Sequence, residues 1–342
     1  MLAPPRPRIP VARALVGLMV GVFVADVLAG GDLMWGGGPL LERGAQYAPA
    51  IWAGEWWRLG TAVFLHAGLL HLFVNSFSLL ALGQVLEPAL GSRRFLLLLV
   101  VSGLVSGLAT LAFVTDLPSV GASGAVFGLA GLLLADELTR RRLYRRMEVE
   151  GGPRLRPRAS IIPILLVNLV LGALIPQINN YAHLGGLLAG FLLGTAWIER
   201  SLRHRGRSRL AYVALGVLIG ALGVLGLRPV LTGEVAFSEG VEAAQAGEWE
   251  RAHEAFSRAI ARSGGRRADY FGQRAYVAAR AGRYAAALGD ANEALARDPE
   301  NPGLRFLRAS IHAGLGDGEA AAADARAACE AGLEAACRAL RR

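Results

Sequence analysis

Residues 120–135 read Val-Gly-Ala-Ser-Gly-Ala-Val-Phe-Gly-Leu-Ala-Gly-Leu-Leu-Leu-Ala, an uncharged run with one hydroxyl, Ser123, near its start. A polar side chain at the head of an apolar helix is costly in hydrocarbon, so its presence asks for a function. Six similar runs surround it: Val11–Leu28, Leu69–Leu86, Phe95–Val114, Ile161–Ile175, Leu184–Ile198 and Leu210–Leu227. A helix needs about 20 apolar residues, and about 17 at the least, to cross a bilayer core. Four of the seven runs meet that. Val120–Ala135, Ile161–Ile175 and Leu184–Ile198 are shorter, which neighbouring helices or a water-filled cavity can accommodate. The first run lies among Arg6, Arg8 and Arg13, as a signal-peptide core would. Asp26 interrupts it and no A-x-A site follows, so it reads as a span.

Composition agrees. Of 342 residues, 54% are hydrophobic and 18% charged, against about 25% charged in a typical soluble domain. That balance excludes disorder as the main state. All 36 basic residues are arginine and the net charge is +9. The surplus lies within residues 1–232, so it signals membrane topology rather than a nucleic-acid face. With the N-terminus placed in the cytoplasm, eighteen arginines fall on the inner side, in clusters that include Arg93–Arg94, Arg140–Arg158 and Arg200–Arg209. The outer loops hold two, Arg43 and Arg58. Seven spans then place residues 233–342 outside. The Arg140–Arg158 cluster reads as an orientation signal and a contact for anionic lipid. The absence of lysine points to a high-GC bacterial genome, hence to a bacterial inner membrane.

The region 233–342 repeats. Gly247-Glu-Trp249 with Ala252, Phe256 and Ala259 recurs as Gly282-Arg-Tyr284 with Ala287, Ala291 and Ala294. It recurs again as Gly316-Asp-Gly318 with Ala321, Ala325 and Ala328. Such a period, with small residues where helices cross and Pro299 after the second unit, fits stacked helix pairs. The pattern resembles the tetratricopeptide repeat family in about three units. That resemblance implies a concave surface for a protein or peptide ligand; the plainer reading is a structural spacer. Cys329 and Cys337 are eight residues apart, about 12 Å along one continuous helix and too far for a disulfide. Across a helix–turn–helix at Gly332 a bridge is feasible, as in the cysteine pairs of Sel1-like repeats. Two buried reduced cysteines fit equally well. Two cysteines cannot form a cysteine-based zinc site, and no metal or cofactor is expected.

Within the membrane half, His71 and Asn75 open the second run, Ser123 opens the fourth and His183 opens the sixth. With alternating spans these four residues share one depth, roughly the outer third of the bilayer. Gly186, Gly190 and Gly194 form one small-residue stripe, and Gly124 and Gly128 another, which allows the fourth and sixth helices to pack closely. Close packing would bring Ser123 to His183 as nucleophile and general base. No acid shares that depth, so the unit would be a dyad. Taken singly, each residue has a plainer reading. A serine in a membrane helix bonds back to a carbonyl, a histidine at a helix end sits at the interface, and Phe127 belongs to the core.

Together, Gly121-Ala-Ser-Gly-Ala-Val-Phe-Gly-Leu129, Ala182-His-Leu-Gly-Gly186 and the His66/His71/Asn75 spacing resemble the rhomboid intramembrane serine proteases over roughly residues 10–200. Trp57-Arg58 and Gly83-x3-Glu87 match as structural positions, and the seventh span matches the family's six-plus-one variant. The resemblance implies roles. Ser123 attacks the scissile carbonyl, and His183 takes the proton and returns it to the leaving amine. Asn75, His71 and the Ser123 amide stabilise the oxyanion, while His66 helps hold water. Phe127 packs on the histidine ring. The fifth span with the Pro176–Tyr181 loop gates and caps the site. Gly121, Gly124, Gly186 and Gly190 are structural. The expected protein is all-α. A membrane domain of seven spans covers 1–232, and an α-solenoid of about three helix pairs covers 233–342. The expected activity is endoproteolysis of transmembrane segments. A catalytically silent scaffold that binds transmembrane helices, with the repeats recruiting partners, is the alternative. The spans lack the internal repeats and midplane charges of a transporter.

Overall fold

A buried acid fixes how the first membrane helix begins. Helix α1 (Pro10–Leu28) starts with proline and leaves its first amides without partners inside the helix. Glu87, near the end of α5 (Leu69–Leu90), accepts from the Val11 and Ala12 amides at 3.0 Å each and from Ser92 Oγ at 2.7 Å. A carboxylate at a helix N-terminus is favourable both as an acceptor and as a charge. Asp26, which interrupts the first apolar run, has the same use: it accepts from the Leu40 amide at the start of α2 (Pro39–Gly44).

The computed structural model describes residues 8–114, 117–149, 160–175 and 178–341. Arg6, the 154–158 end of the third arginine cluster, and Pro176 of the expected cap loop lie outside them. The chain divides into two compact units, Met1–Leu227 and Arg228–Arg342. Among the described residues there is no strand, only an isolated antiparallel bridge between Gln46 and Ser119.

In the first unit, short helices α3 (Ala48–Trp52) and α4 (Arg58–Thr61) lie in the loop before α5. Arg58 is buried there and donates to the Glu42 and Ala45 carbonyls and to the Glu55 carboxylate. Helices α6 (Ser92–Phe113), α7 (Ser123–Val149), α8 (Ile162–Leu174), α9 (Asn180–Ser201) and α10 (Arg205–Leu231) follow. Every expected run became a helix, but lengths differ. Helix α7 runs on past Ala135 through Asp136, Glu137 and five arginines, because acid–base pairs such as Asp136–Arg140 and Glu137–Arg141 support a helix once it reaches water.

Among the described residues five helices, α1, α5, α6, α9 and α10, are long and apolar enough to cross a membrane. Helix α6 is the inner one: 61% of its most apolar window is buried, against 22% in α1 and 28% in α5. Phe95, Leu98 and Leu129 fill the core, while Phe73 and Phe77 of α5, Val167 and Val170 of α8, and Val213 and Val217 of α10 are exposed. Apolar surface of that extent belongs against lipid.

The second unit is built from helix pairs: α11 (Glu234–Gln245) with α12 (Trp249–Arg262), α13 (Ala268–Arg280) with α14 (Tyr284–Arg297), and α15 (Pro302–Gly314) with α16 (Gly318–Glu330). A short α17 (Glu334–Leu340) ends it. Gly247, Gly282 and Gly316 each take a left-handed conformation, with φ between 76° and 81°, at the turn inside each pair. Ala252, Phe256, Ala259, Ala287, Ala291 and Ala294 are fully buried, as helix-crossing positions must be. Bidentate pairs Arg274–Asp290 and Arg308–Asp324 tie successive helices at equivalent repeat positions. Cys329 at the end of α16 and Cys337 on α17 are bridged across the Gly332 turn, with Cα atoms 4.8 Å apart.

Candidate active site

Ser123 owes its position to the residue two before it. Gly121 has φ +113°, a region that side chains other than glycine rarely adopt, and its amide donates to the Ala62 carbonyl at 2.9 Å. The chain thereby turns into α7 with Ser123 as its first residue. A Cβ on Gly121 would lie 2.7 Å from His71 Cε1 and 3.7 Å from Asn75 Nδ2. Both α5 side chains therefore stand against the backbone that delivers the serine. Asn75 is buried and donates to the His71 carbonyl at 3.0 Å, and His71 Nδ1 accepts from the Ala67 amide at 3.3 Å.

His183 comes from α9. Asn179 begins that helix: its Oδ1 accepts from the Ala182 amide, and its Nδ2 donates to Thr110 Oγ1 and Ser119 Oγ. One side chain thus links the start of α9 to the end of α6 and to the segment leading into Ser123. Asn180 donates to the Leu169 carbonyl of α8. The result places His183 Nε2 2.9 Å from Ser123 Oγ. The imidazole lies flat on Phe127, with centroids 4.2 Å apart and planes 7° apart. His183 Nδ1 is buried without a hydrogen-bond partner among the described residues, so no carboxylate completes a triad.

The two helices can approach because their glycines face each other. A Cβ on Gly186 would collide with the Gly124 carbonyl, one on Gly190 with the Gly128 carbonyl, and one on Gly124 with Ser106 of α6. Backbone against backbone is the closest packing helices achieve, and small residues permit it.

A cavity of about 1840 Å³ contains Ser123, His183, His71, Asn75 and Phe127 in its wall, with residues of α5 and α8 on its sides. No charged side chain lines it among the described residues, but Ser106, Thr110, Asn168 and Asn179 do. Polar groups in that number can hold water. His66 differs from expectation. It is 3% exposed and outside the cavity wall, set edge-on behind His71 at 5.2 Å. Its Nδ1 lies 3.3 Å from the Phe64 carbonyl. The ring stands against His71 and away from the cavity wall. Asn179 and Asn180 went unnoticed in the sequence, although an asparagine just before an apolar run is a standard helix-start signal. Among the described residues no three His, Cys, Asp or Glu side chains converge to hold a metal ion.

The chain matches the Rhomboid domain model over residues 53–200. It matches the tetratricopeptide repeat model over residues 237–302 and 273–336. It is 38% identical to rhomboid protease GluP of Bacillus subtilis (strain 168) over 157 residues, which is 46% of this chain and 29% of that protein. It is 35% identical to the mitochondrial RHOMBOID-like protein 6 of Arabidopsis thaliana, over 49% of this chain and 55% of that one. The chain thus spans 29% and 55% of the length of these two relatives. YdcA of Bacillus subtilis, whose name also carries the words rhomboid protease, is 39% identical over 44% of this chain and 72% of its own length. With its multi-pass helices, glycine-packed α7 and α9 and these matches, the chain belongs to the rhomboid family and carries tetratricopeptide repeats after its membrane domain.

Proposed function

We propose that the protein is an intramembrane serine endopeptidase that cleaves transmembrane segments of other membrane proteins. The observation that carries this reading is the 2.9 Å approach of His183 Nε2 to Ser123 Oγ in a polar-lined cavity within apolar helices. The Ser123 oxygen forms a bond to the scissile carbonyl carbon as its proton passes to Nε2. The oxyanion is met by Asn75, His71 and the Ser123 amide at the start of α7. The C–N bond then breaks, and His183 gives its proton to the leaving amine. Water repeats the sequence to free the acid, and the polar wall of the cavity supplies it. A helical carbonyl is shielded by its own hydrogen bond, so substrates need small or helix-breaking residues at the cut.

The reading is tested with purified protein, a single-span substrate and a fluorophosphonate probe. Labelling together with cleavage is expected; their joint absence leaves the silent scaffold. Replacing Asn75 by alanine removes one oxyanion donor and is expected to slow cleavage by about 10²–10³-fold while the probe still labels Ser123. A rate within a factor of a few of wild type removes Asn75 from the oxyanion site.

The orientation follows from the eighteen-to-two arginine imbalance, with the arginine-rich side cytoplasmic and the repeats on the other. The Cys329–Cys337 bridge agrees, because disulfides persist in oxidising compartments. A reporter fused after residue 232 should signal from outside, and both cysteines should resist alkylation until reduced. A cytoplasmic signal means six or eight spans.

A further inference from the structure

At the opposite end of α7 and α9 from the serine and histidine, a second pocket of about 430 Å³ is lined by Arg142, Leu143, His204, Gly206 and Arg207. It lies where the apolar part of α9 has ended and that of α10 has not begun. Two of these residues, Arg142 and His204, hold the buried Glu199, whose side chain is 3% exposed. One carboxylate oxygen accepts from Arg142 at 2.7 Å and the other from His204 Nδ1 at 2.7 Å. The turn between α9 and α10 is held for this purpose: Arg203 takes φ +63°, and the His204 amide donates to the Glu199 carbonyl at 2.8 Å.

The charges do not balance. Glu199 carries one negative charge, and two guanidiniums face it. Arg207 reaches it only at 3.9 Å, too long for a hydrogen bond, and its side chain is 60% exposed. Its forked donors are therefore available to a second anion, as are those of Arg142 not used by Glu199. Phosphate suits a pair of guanidiniums better than a carboxylate does, since it offers more acceptor oxygens.

The surroundings choose the source of that phosphate. Leu138 is one helical turn from Arg142 on α7, and Leu210 is one turn from Arg207 on α10. Both are exposed, and both lie toward the apolar body of the helices. A charged pocket with exposed leucines one helical turn away on two of its helices fits an amphiphile, with its phosphate among the arginines and its chains along Leu138 and Leu210. We propose that this pocket binds the phosphate of an anionic membrane lipid and thereby braces the ends of α7, α9 and α10. The site is independent of whether the serine and histidine act as a protease.

The test is lipid binding to the full chain, delipidated in a neutral detergent and read by native mass spectrometry. Phosphatidylglycerol, phosphatidylcholine and inorganic phosphate are titrated separately. Arg207→Gln leaves the two close partners of Glu199 in place, so the fold is retained. It should weaken phosphatidylglycerol binding about fivefold or more, whereas Arg209→Gln, an exposed charge outside the pocket, should change it less than about twofold. Phosphatidylcholine and inorganic phosphate should both bind more weakly than phosphatidylglycerol. Equal losses in the two variants would mean diffuse surface charge and overturn the site. So would an unaffected Arg207→Gln. Equal binding of phosphatidylcholine would remove the need for an anion, and inorganic phosphate bound as tightly as the lipid would make this a free-phosphate site.

Discussion

Ser123→Ala and His183→Ala should each lower cleavage of a single-span substrate by about 10⁴-fold or more, and the double variant should be no slower than the worse single one. The two side chains act as a unit. Without the hydroxyl there is no atom to acylate, and without the imidazole 2.9 Å away the hydroxyl keeps its proton. Fluorophosphonate labelling should vanish in Ser123→Ala and fall steeply in His183→Ala. Because Nδ1 has no hydrogen-bond partner among the described residues, the ring is oriented by stacking on Phe127 instead of by an acid. Additive losses in the double variant, or cleavage by Ser123→Ala, would show that the proposed nucleophile and base are not coupled.

Gly186→Ala is the second large effect, and it comes from backbone geometry. The new Cβ would lie 2.7 Å from the Gly124 carbonyl carbon and closer still to its oxygen. Neither atom can swing away as a flexible side chain would, so α7 and α9 must separate. Overpacking of this kind costs about 1–3 kcal/mol. The separation also moves His183, one turn away on α9, from Ser123, the residue before Gly124. A misplacement of about 1 Å can cost a factor of about 100 in rate. Thermal unfolding and cleavage should therefore both suffer. Gly216→Ala on α10, where a Cβ meets nothing within 4 Å, should leave the rate unchanged and shift stability by no more than about 1 kcal/mol. If the two variants behave alike, the close approach of α7 and α9 is not what positions the pair.

Much of the fold was legible from local pattern. Each apolar run became a helix, and the repeat of Gly247, Gly282 and Gly316 marked three turns that the structure builds alike. The glycine stripes announced a close helix pair, and His71, Asn75, Ser123 and His183, expected at one depth, line one cavity. Other features were not legible. No local pattern pairs Glu199 with His204; their bond appears only once α9 turns back into α10. His66 shared its spacing with His71, yet it lies behind that ring and not in the cavity.

By itself the sequence determined what forms from neighbours along the chain. Helices, spans, the repeat and the order of polar residues depend on hydropathy and on periodicities of a few residues, or of one repeat unit. Tertiary structure decided what forms from residues sixty positions apart. The 2.9 Å contact, the flat stacking on Phe127 and the link made by Asn179 between α9 and the segment before Ser123 depend on the relative register of α6, α7 and α9. That register is set by many small contacts summed across glycine faces, and no single stretch of sequence contains them.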